Sequence, residues 1–503
     1  MEPKRPSYIE QLGSYIAGLF KANELPFLSA LIAGLAAHMF MISNKLVNHD
    51  EIEALFSKGA TVTSGRWGLE LSHYIFPNVS MPWIYGLISI ILFAVAACLL
   101  LRVLDLRSGL SKVLIPAIVL SFPSLTGTFC FMFTSAPYAL AFLLAVSSAW
   151  FFKRGGWQNF LLAAGSLVLC LSIYQAYIAL TASLFVLLML KMSLEGSCSV
   201  RQILLWGFKA LGMMLLALLA YFAATMLSFA LTGMEFNSYV LDNVNDKAGQ
   251  LGKIRLAYTN FKDIFTYGNY SLVTSPLSHW AHLGLLAVMG LELICLSLRR
   301  KEPLRWGLSL VLVLLLPLAI NCMYLAMSPA SIHTLVLFSF VAIYLMAAML
   351  WEQMGEKALA RDLPALLLVL MICSNVYFAN RVYLKLHLQY ENASAFYTSM
   401  IAQIKDTPGF DEDSRLAIIG KQQELLFYPP QLDSSLLLGP STDLVNIYSR
   451  QALFRQYLGF DMPCASEEEL EAISQSEEFK AMPIYPYHGS VQAIDSYIVV
   501  KMG

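Results

Sequence analysis

The chain has 503 residues, 57% of them hydrophobic and 13% charged, with a mean hydropathy of +0.61. A soluble globular protein carries about 25% charged residues, and single soluble cores stop growing near roughly 250–300 residues. A soluble enzyme, a nucleic-acid binder and a disordered chain are therefore poor readings, and an integral membrane protein with many spans is the strong one. The charge is also uneven. Residues 1–380 hold 24 Lys and Arg against 18 Asp and Glu, whereas residues 381–503 hold 9 against 16. This pattern predicts a membrane body over 1–380 and an acidic domain over 381–503. The overall net charge of −1 is a cancellation and says nothing about partners.

A span takes about 20 mostly apolar residues. About eleven segments qualify, near 25–47, 82–104, 113–128, 135–152, 159–174, 176–192, 204–231, 281–298, 306–325, 334–350 and 363–380. The first apolar run is long and lacks a small-residue cleavage site, so no cleaved signal peptide is expected. With the N-terminus inside, 17 basic residues of the membrane body fall on the cytoplasmic face and seven on the other: Lys45, Lys58, Arg66, Lys247, Lys253, Arg255 and Lys262. The excess of Lys and Arg marks the cytoplasmic side. An odd number of spans then puts the C-terminal domain outside. The outer face carries three substantial pieces: a loop over 48–81, a loop over 232–280 and the domain over 381–503. The inner connectors are short and hold no phosphate-cradling glycine loop. The eight Cys form no disulfide framework or metal-type spacing and read as small core hydrophobes.

The loop over 48–81 carries the densest chemistry. It opens with Asn48-His49-Asp50-Glu51-Ile52-Glu53 and continues to Thr63-Ser64-Gly65-Arg66-Trp67-Gly68. Ile52, Leu55, Phe56 and Gly59 share the spacing of one helical face, which predicts a short helix along the membrane interface; residues 66–76 predict a second. Asp50 reads either as an N-cap whose capping box closes on Glu53, or as a carboxylate held ionised at a helix start and ready to take a proton.

This arrangement resembles the GT-C class of polyprenyl-phosphate-dependent glycosyltransferases, in which an acidic residue of the first outer loop acts as general base. Asn48-His49-Asp50-Glu51 followed by Gly65-Arg66-Trp67-Gly68 more specifically resembles the Gtr-type glucosyltransferases that decorate bacterial O-antigen. Tyr174-Gln175-Ala176 at an outer turn and the tail Pro486-Tyr487-His488-Gly489-Ser490 extend the resemblance over most of the chain. It implies a GT-C-like polytopic α-helical membrane protein in the bacterial inner membrane. The partners implied are a polyprenyl-phosphate sugar donor, a surface glycan acceptor and the lipid bilayer, with no nucleic acid. Asp50, or else Glu51, would remove the acceptor proton as the hydroxyl attacks the anomeric carbon. The donor would be a hexose, glucose on the strength of the resemblance alone.

A departing phosphate needs positive charge and N–H donors. Arg66 is the first candidate because a guanidinium holds phosphate oxygens in a fork; its alternative is a headgroup anchor beside Trp67. Lys253 and Arg255 follow, on an expected helix near 249–266, with a solvated basic face as the alternative. His49 adjoins the acids and would tune them or bind a sugar hydroxyl. Tyr174 and Gln175 break an apolar run, either to contact sugar or simply to reverse the chain. Tyr138 has a weaker claim of the same kind. His333 lies in a tight turn that can face a cavity. No cofactor is certain. A divalent metal stays open, because eight acids lie on the outer side of the membrane body but no ligand set is evident.

The C-terminal stretch predicts a small α/β domain, with helices near 389–406, 443–458 and 466–479 and strands at Leu416–Ile419 and Ser496–Lys501. It would bind an acceptor glycan or cap the membrane body. Two rivals to the transferase are a lipid-linked sugar flippase or transporter, which calls for charge near the bilayer midplane, and a glycan polymerase or ligase, which calls for a more cationic outer loop.

Overall fold

The computed structural model describes residues 18, 21–59, 61–237, 249–265, 272–300, 302–325, 334–355, 358–411, 414–420 and 445–503. They form two compact units. The described residues of the first lie in Met1–Lys45 and Leu55–Val382; those of the second lie in Leu46–Ala54, Tyr383–Asp433 and Asp443–Gly503.

The first unit is a helical bundle. Its long elements are α1 (Glu24–Ser43), α4 (Pro82–Val103), α7 (Met132–Arg154), α9 (Ile178–Glu195), α10 (Val200–Thr232), α12 (Pro276–Arg300), α13 (Pro303–Ile320), α14 (Val341–Met354) and the first part of α15 (Ala358–Asp406). Among the described residues, nine helical segments are long and apolar enough to cross a membrane. The chain is a polytopic membrane protein. The eleven expected segments all fall on helices, but two are not plain spans. The segment near 113–128 is a pair, α5 (Gly109–Ser121) and α6 (Pro123–Cys130), bent by 41°. Pro123 explains the break, because it supplies no N–H and forces Phe122 into extended backbone at ψ 136°. The segment near 159–174 is the 17-residue helix α8 (Trp157–Ile173).

Burial separates the bundle's centre from its rim. The stretch Thr334–Met354 is 94% buried along its apolar window, whereas Val200–Thr232 is 17% buried. The side chains α10 leaves exposed, such as Leu211, Leu215, Leu219 and Phe222, are apolar and suited to lipid. A soluble protein cannot carry such a face over 33 residues. The centre is held by aromatic packing: Phe338 sits within 4.5–6.2 Å, ring to ring, of Phe93, Phe122, Phe142 and Tyr177.

The helices alternate in direction, so chain segments gather at two ends. At one end Asp105, just past α4, takes Lys153 of α7 at 2.6 Å and Lys191 of α9 at 2.7 Å. Burial opposes ionisation of Asp105, but the two ammonium groups outweigh it and hold its pKa below the usual carboxylate range. At the same end Glu352 of α14 accepts the backbone N–H groups of Arg107 and Ser108 and the Ser111 hydroxyl. The opposite end carries residues 55–59 and 61–81, the turn Gln175–Tyr177 and α11 (Gln250–Ile264).

The second unit contains a three-stranded sheet in the order β1-β3-β2: β1 (Arg415–Ile419), β2 (Val491–Ile494) and β3 (Tyr497–Lys501). β1 runs parallel to β3 with Leu416 opposite Ile498, and β2 runs antiparallel to it with Val491 opposite Val500. The helices are the second part of α15, α16 (Ile447–Ala452), α17 (Glu467–Gln475) and α18 (Glu477–Ala481). β2 was not expected, because Val491-Gln492-Ala493-Ile494 carries little alternation. The expected span 363–380 and helix 389–406 are one continuous helix, as no Gly or Pro interrupts residues 365–406. A short helix, α2 (His49–Glu53), also belongs to this unit. Val47 and Ile52 are fully buried in one core with Tyr397, Leu453, Phe454 and Phe460. The interfacial helix expected around Ile52 is therefore not what forms, since Ile52 packs on protein.

Candidate active site

The stretch 61–68 is a tight turn followed by α3 (Trp67–Leu71). Gly65 ends the turn at φ +71°, a left-handed conformation that side chains with a Cβ rarely adopt. A Cβ there would also stand 2.6 Å from the Tyr221 hydroxyl. Gly68 lies so close to α8 that a Cβ would collide with the Ser172 hydroxyl and stand 2.8 Å from its Cβ. The two glycines of Gly65-Arg66-Trp67-Gly68 thus let the backbone press against α10 and α8, with Arg66 between them.

Arg66 enters an aromatic cradle. Its Nη1 donates to the Tyr138 hydroxyl at 3.1 Å, and its Cζ lies 5.6 Å from the centre of the Tyr174 ring. Tyr138 and Tyr174 stack at 4.1 Å. A guanidinium over an aromatic ring is favourable, and its planar fork suits the oxygens of an anion. Beside it, Gln175 Nε2 donates to the Ser64 carbonyl at 3.1 Å and to the Tyr221 hydroxyl at 3.0 Å, and Tyr221 donates to the Gly65 carbonyl at 3.0 Å. The Asn237 amide reaches Ser64 Oγ at 3.1 Å. The Trp67 indole N–H is buried and has no acceptor among the described residues. Three expected residues, Arg66, Tyr174 and Gln175, are thereby brought together. Tyr138 has a larger part than its sequence position gave it. Tyr221 was missed, since one phenol in an apolar run reads as core.

A neighbouring part of the same loop anchors the turn. Lys58 is 5% exposed and donates to Ser72 Oγ at 3.1 Å and to the Phe76 carbonyl at 2.7 Å. Burial pushes its ammonium down to about 8, against the pull of Glu70. Glu70 itself accepts the Thr61 hydroxyl at 2.6 Å.

The acidic segment lies in the second unit. Asn48, not Asp50, is the N-cap of α2: its side chain accepts the Glu51 N–H at 2.8 Å. The N-cap thus lies two residues before the expected Asp50, because the Asn48 side chain already satisfies the Glu51 donor. Asp50 and Glu51 both fall in the first turn, where the helix dipole favours carboxylates. Their environments differ sharply. The Asp50 side chain is 43% exposed, with His49 Nε2 at 3.6 Å from its Oδ1. Glu51 is 0% exposed. Tyr457 of the turn Leu453–Tyr457 is held above its usual pKa by burial first, then by the Glu51 carboxylate.

Lys253 and Arg255 lie on α11, which packs through Phe261 and Phe265 on Phe340 and bonds Asn260 to Asn321 at 2.9 Å. Lys253 is 6% exposed and Arg255 is exposed. Two residues apart, they are turned by about 200° around the helix and do not present one face. His333 lies outside the described residues, as does Lys247. Among the described residues no three His, Cys, Asp or Glu side chains gather as a metal site.

A family model described as Glucosyl transferase GtrII matches residues 39–346, more than half of the chain. The chain belongs to the GtrII glucosyl transferase family. It is a glycosyltransferase enzyme, and its family implies a sugar donor and a glycan acceptor. The GtrII match includes the acidic segment, the Arg66 cradle and α11, and it ends before most of the second unit. No curated protein and no solved structure matches the chain significantly.

Proposed function

We propose that this GtrII enzyme transfers glucose from polyprenyl phosphate to a cell-surface glycan such as O-antigen, on the outer face of a bacterial inner membrane, with Asp50 as general base. The observation that carries the reading is the contrast between the paired acids: Asp50 is 43% exposed and Glu51 is 0% exposed. A base must reach the proton it takes, and only Asp50 is open to a substrate hydroxyl.

In the proposed step the acceptor oxygen attacks the anomeric carbon while its proton passes to the Asp50 carboxylate. The bond from that carbon to the phosphate oxygen breaks, and polyprenyl phosphate leaves with the electron pair. One displacement inverts the anomeric centre. His49, 3.6 Å from Asp50, steers the carboxylate. Arg66 takes the leaving phosphate on the edge of its guanidinium, its orientation held by Tyr138 and Tyr174. Gln175 holds the Arg66 turn through Ser64 and Tyr221. Lys253 and Arg255 add positive charge on the same end of the bundle.

The test uses purified protein in lipid, radiolabelled polyprenyl-phosphate glucose and lipopolysaccharide. Label should move to the glycan with inversion at the anomeric carbon, and nucleotide-activated glucose alone should give no product. Direct use of the nucleotide sugar would overturn the donor assignment. Movement of the lipid-linked sugar across the bilayer with no new glycosidic bond would favour a flippase.

A further inference from the structure

The end of the first unit opposite the Arg66 cradle holds a cavity of about 290 Å³, lined by none of the residues proposed for the transfer. It opens where α1 begins, α4 ends, α5 begins and α7 ends. Its polar lining is Asn23, Arg102, Asp105, Arg107 and Lys112, and Trp150 forms an aromatic wall.

The charges of this cavity are unbalanced. The Asp105 carboxylate in its wall is taken up by Lys153 at 2.6 Å and Lys191 at 2.7 Å, so it neutralises none of the three lining cations. Glu352, the next acid at this end, spends its oxygens on the backbone N–H groups of Arg107 and Ser108 and on the Ser111 hydroxyl. No ion pair to a described carboxylate engages the side chains of Arg102, Arg107 or Lys112. Three cations converge on one hollow, at span ends, next to a Trp of the kind that settles at headgroup depth. Basic pockets between helix ends on the cytoplasmic side suit anionic headgroups.

We infer that this cavity binds the phosphate headgroup of an anionic glycerophospholipid of the leaflet opposite the proposed transfer site. Arg102 and Arg107 supply forked donors to the phosphate oxygens, Lys112 adds a point charge, and Trp150 lies against the glycerol and upper acyl chain. The shared chemistry is a phosphate anion. A bilayer lipid is favoured over free phosphate because the hollow opens among apolar span ends, lined also by Pro26, Leu101 and Leu106.

The experiment is a native mass spectrometry titration of the delipidated full chain in neutral detergent. Dioleoyl phosphatidylglycerol is compared with dioleoyl phosphatidylcholine and with inorganic phosphate. Wild type should bind phosphatidylglycerol at one preferred site. Each cation near an anionic lipid is worth roughly fivefold, so R102Q/R107Q/K112Q should weaken that site by about 100-fold. R102K/R107K, which keeps the charge, should retain most of the binding. These changes spare the Asp105 and Glu352 networks, which use the backbone atoms of residues 102 and 107. If the triple variant does not fold, each single Gln variant should lose about fivefold. Wild-type affinity in the Gln variants, equal binding of phosphatidylcholine, or equal occupancy by inorganic phosphate would each overturn the inference.

Discussion

Arg66 shows how much of the site rests on one side chain. Its guanidinium is bonded to one tyrosine and laid on another, so charge and orientation are set together. Arg66→Ala should lower kcat/KM by roughly 100-fold, and Arg66→Lys by about tenfold, because an ammonium keeps the charge but loses the fork. Steady-state transfer kinetics check this, and equal rates for all three proteins would remove Arg66 from phosphate binding. Arg66 stood out in the sequence because a guanidinium can hold phosphate oxygens in a fork and few cations of the membrane body lie in that loop. Tyr221 was not, because its hydroxyl matters only through Gln175 and Gly65, which folding brings to it. Lys58 gives a pH prediction. Its folded pKa, about 8, lies below the ordinary lysine value of 10.5, so between these limits the unfolded chain binds more protons. Stability should therefore rise as pH climbs from about 8 to 10.5, the cost of the buried charge being fully present below 8. Thermal unfolding in detergent should show this rise in wild type and lose it in Lys58→Met.

At the scale of elements, two short motifs are held by specific steric and capping demands. Gly68→Ala pushes a methyl group into Ser172, an overpacking that costs about 1–3 kcal/mol. Ser172→Gly removes the opposing atoms and should restore part of the loss; thermal unfolding of the single and double variants measures it. Asn48→Ala removes the cap of α2 and should cost about 1 kcal/mol, with transfer activity falling more than stability because Asp50 sits on that turn. The helices of the bundle were legible because apolar runs of span length have few alternatives in a chain so poor in charge. Cap positions were less so. Asn48, Asp50 and the residues after them all suit a helix start, and only the hydrogen bond from Glu51 N–H to Asn48 decides which one caps. The continuity of α15 was hidden by its change from an apolar to a mixed sequence, which resembles a boundary although nothing in it breaks a helix.

Across the whole molecule, the acidic segment and the C-terminal stretch form one core. Val47 and Ile52 are 0% exposed among Tyr397, Leu453, Phe454 and Phe460. Local periodicity carries no trace of this pairing, since the partners lie more than 330 residues apart in the chain. Removing residues 383–503 would leave the entire GtrII match, yet strip the core from around Asp50. The truncated chain should insert in membranes and transfer no sugar. An active truncation would show that the second unit is dispensable to the acid. The central claim is that Asp50, not Glu51, takes the acceptor proton. Its most direct test is the transfer rate of Asp50→Asn beside Glu51→Gln, each checked for wild-type thermal unfolding. Asp50→Asn should lose at least about 100-fold in kcat at unchanged stability, and Glu51→Gln should lose far less. Wild-type transfer by Asp50→Asn would contradict the account.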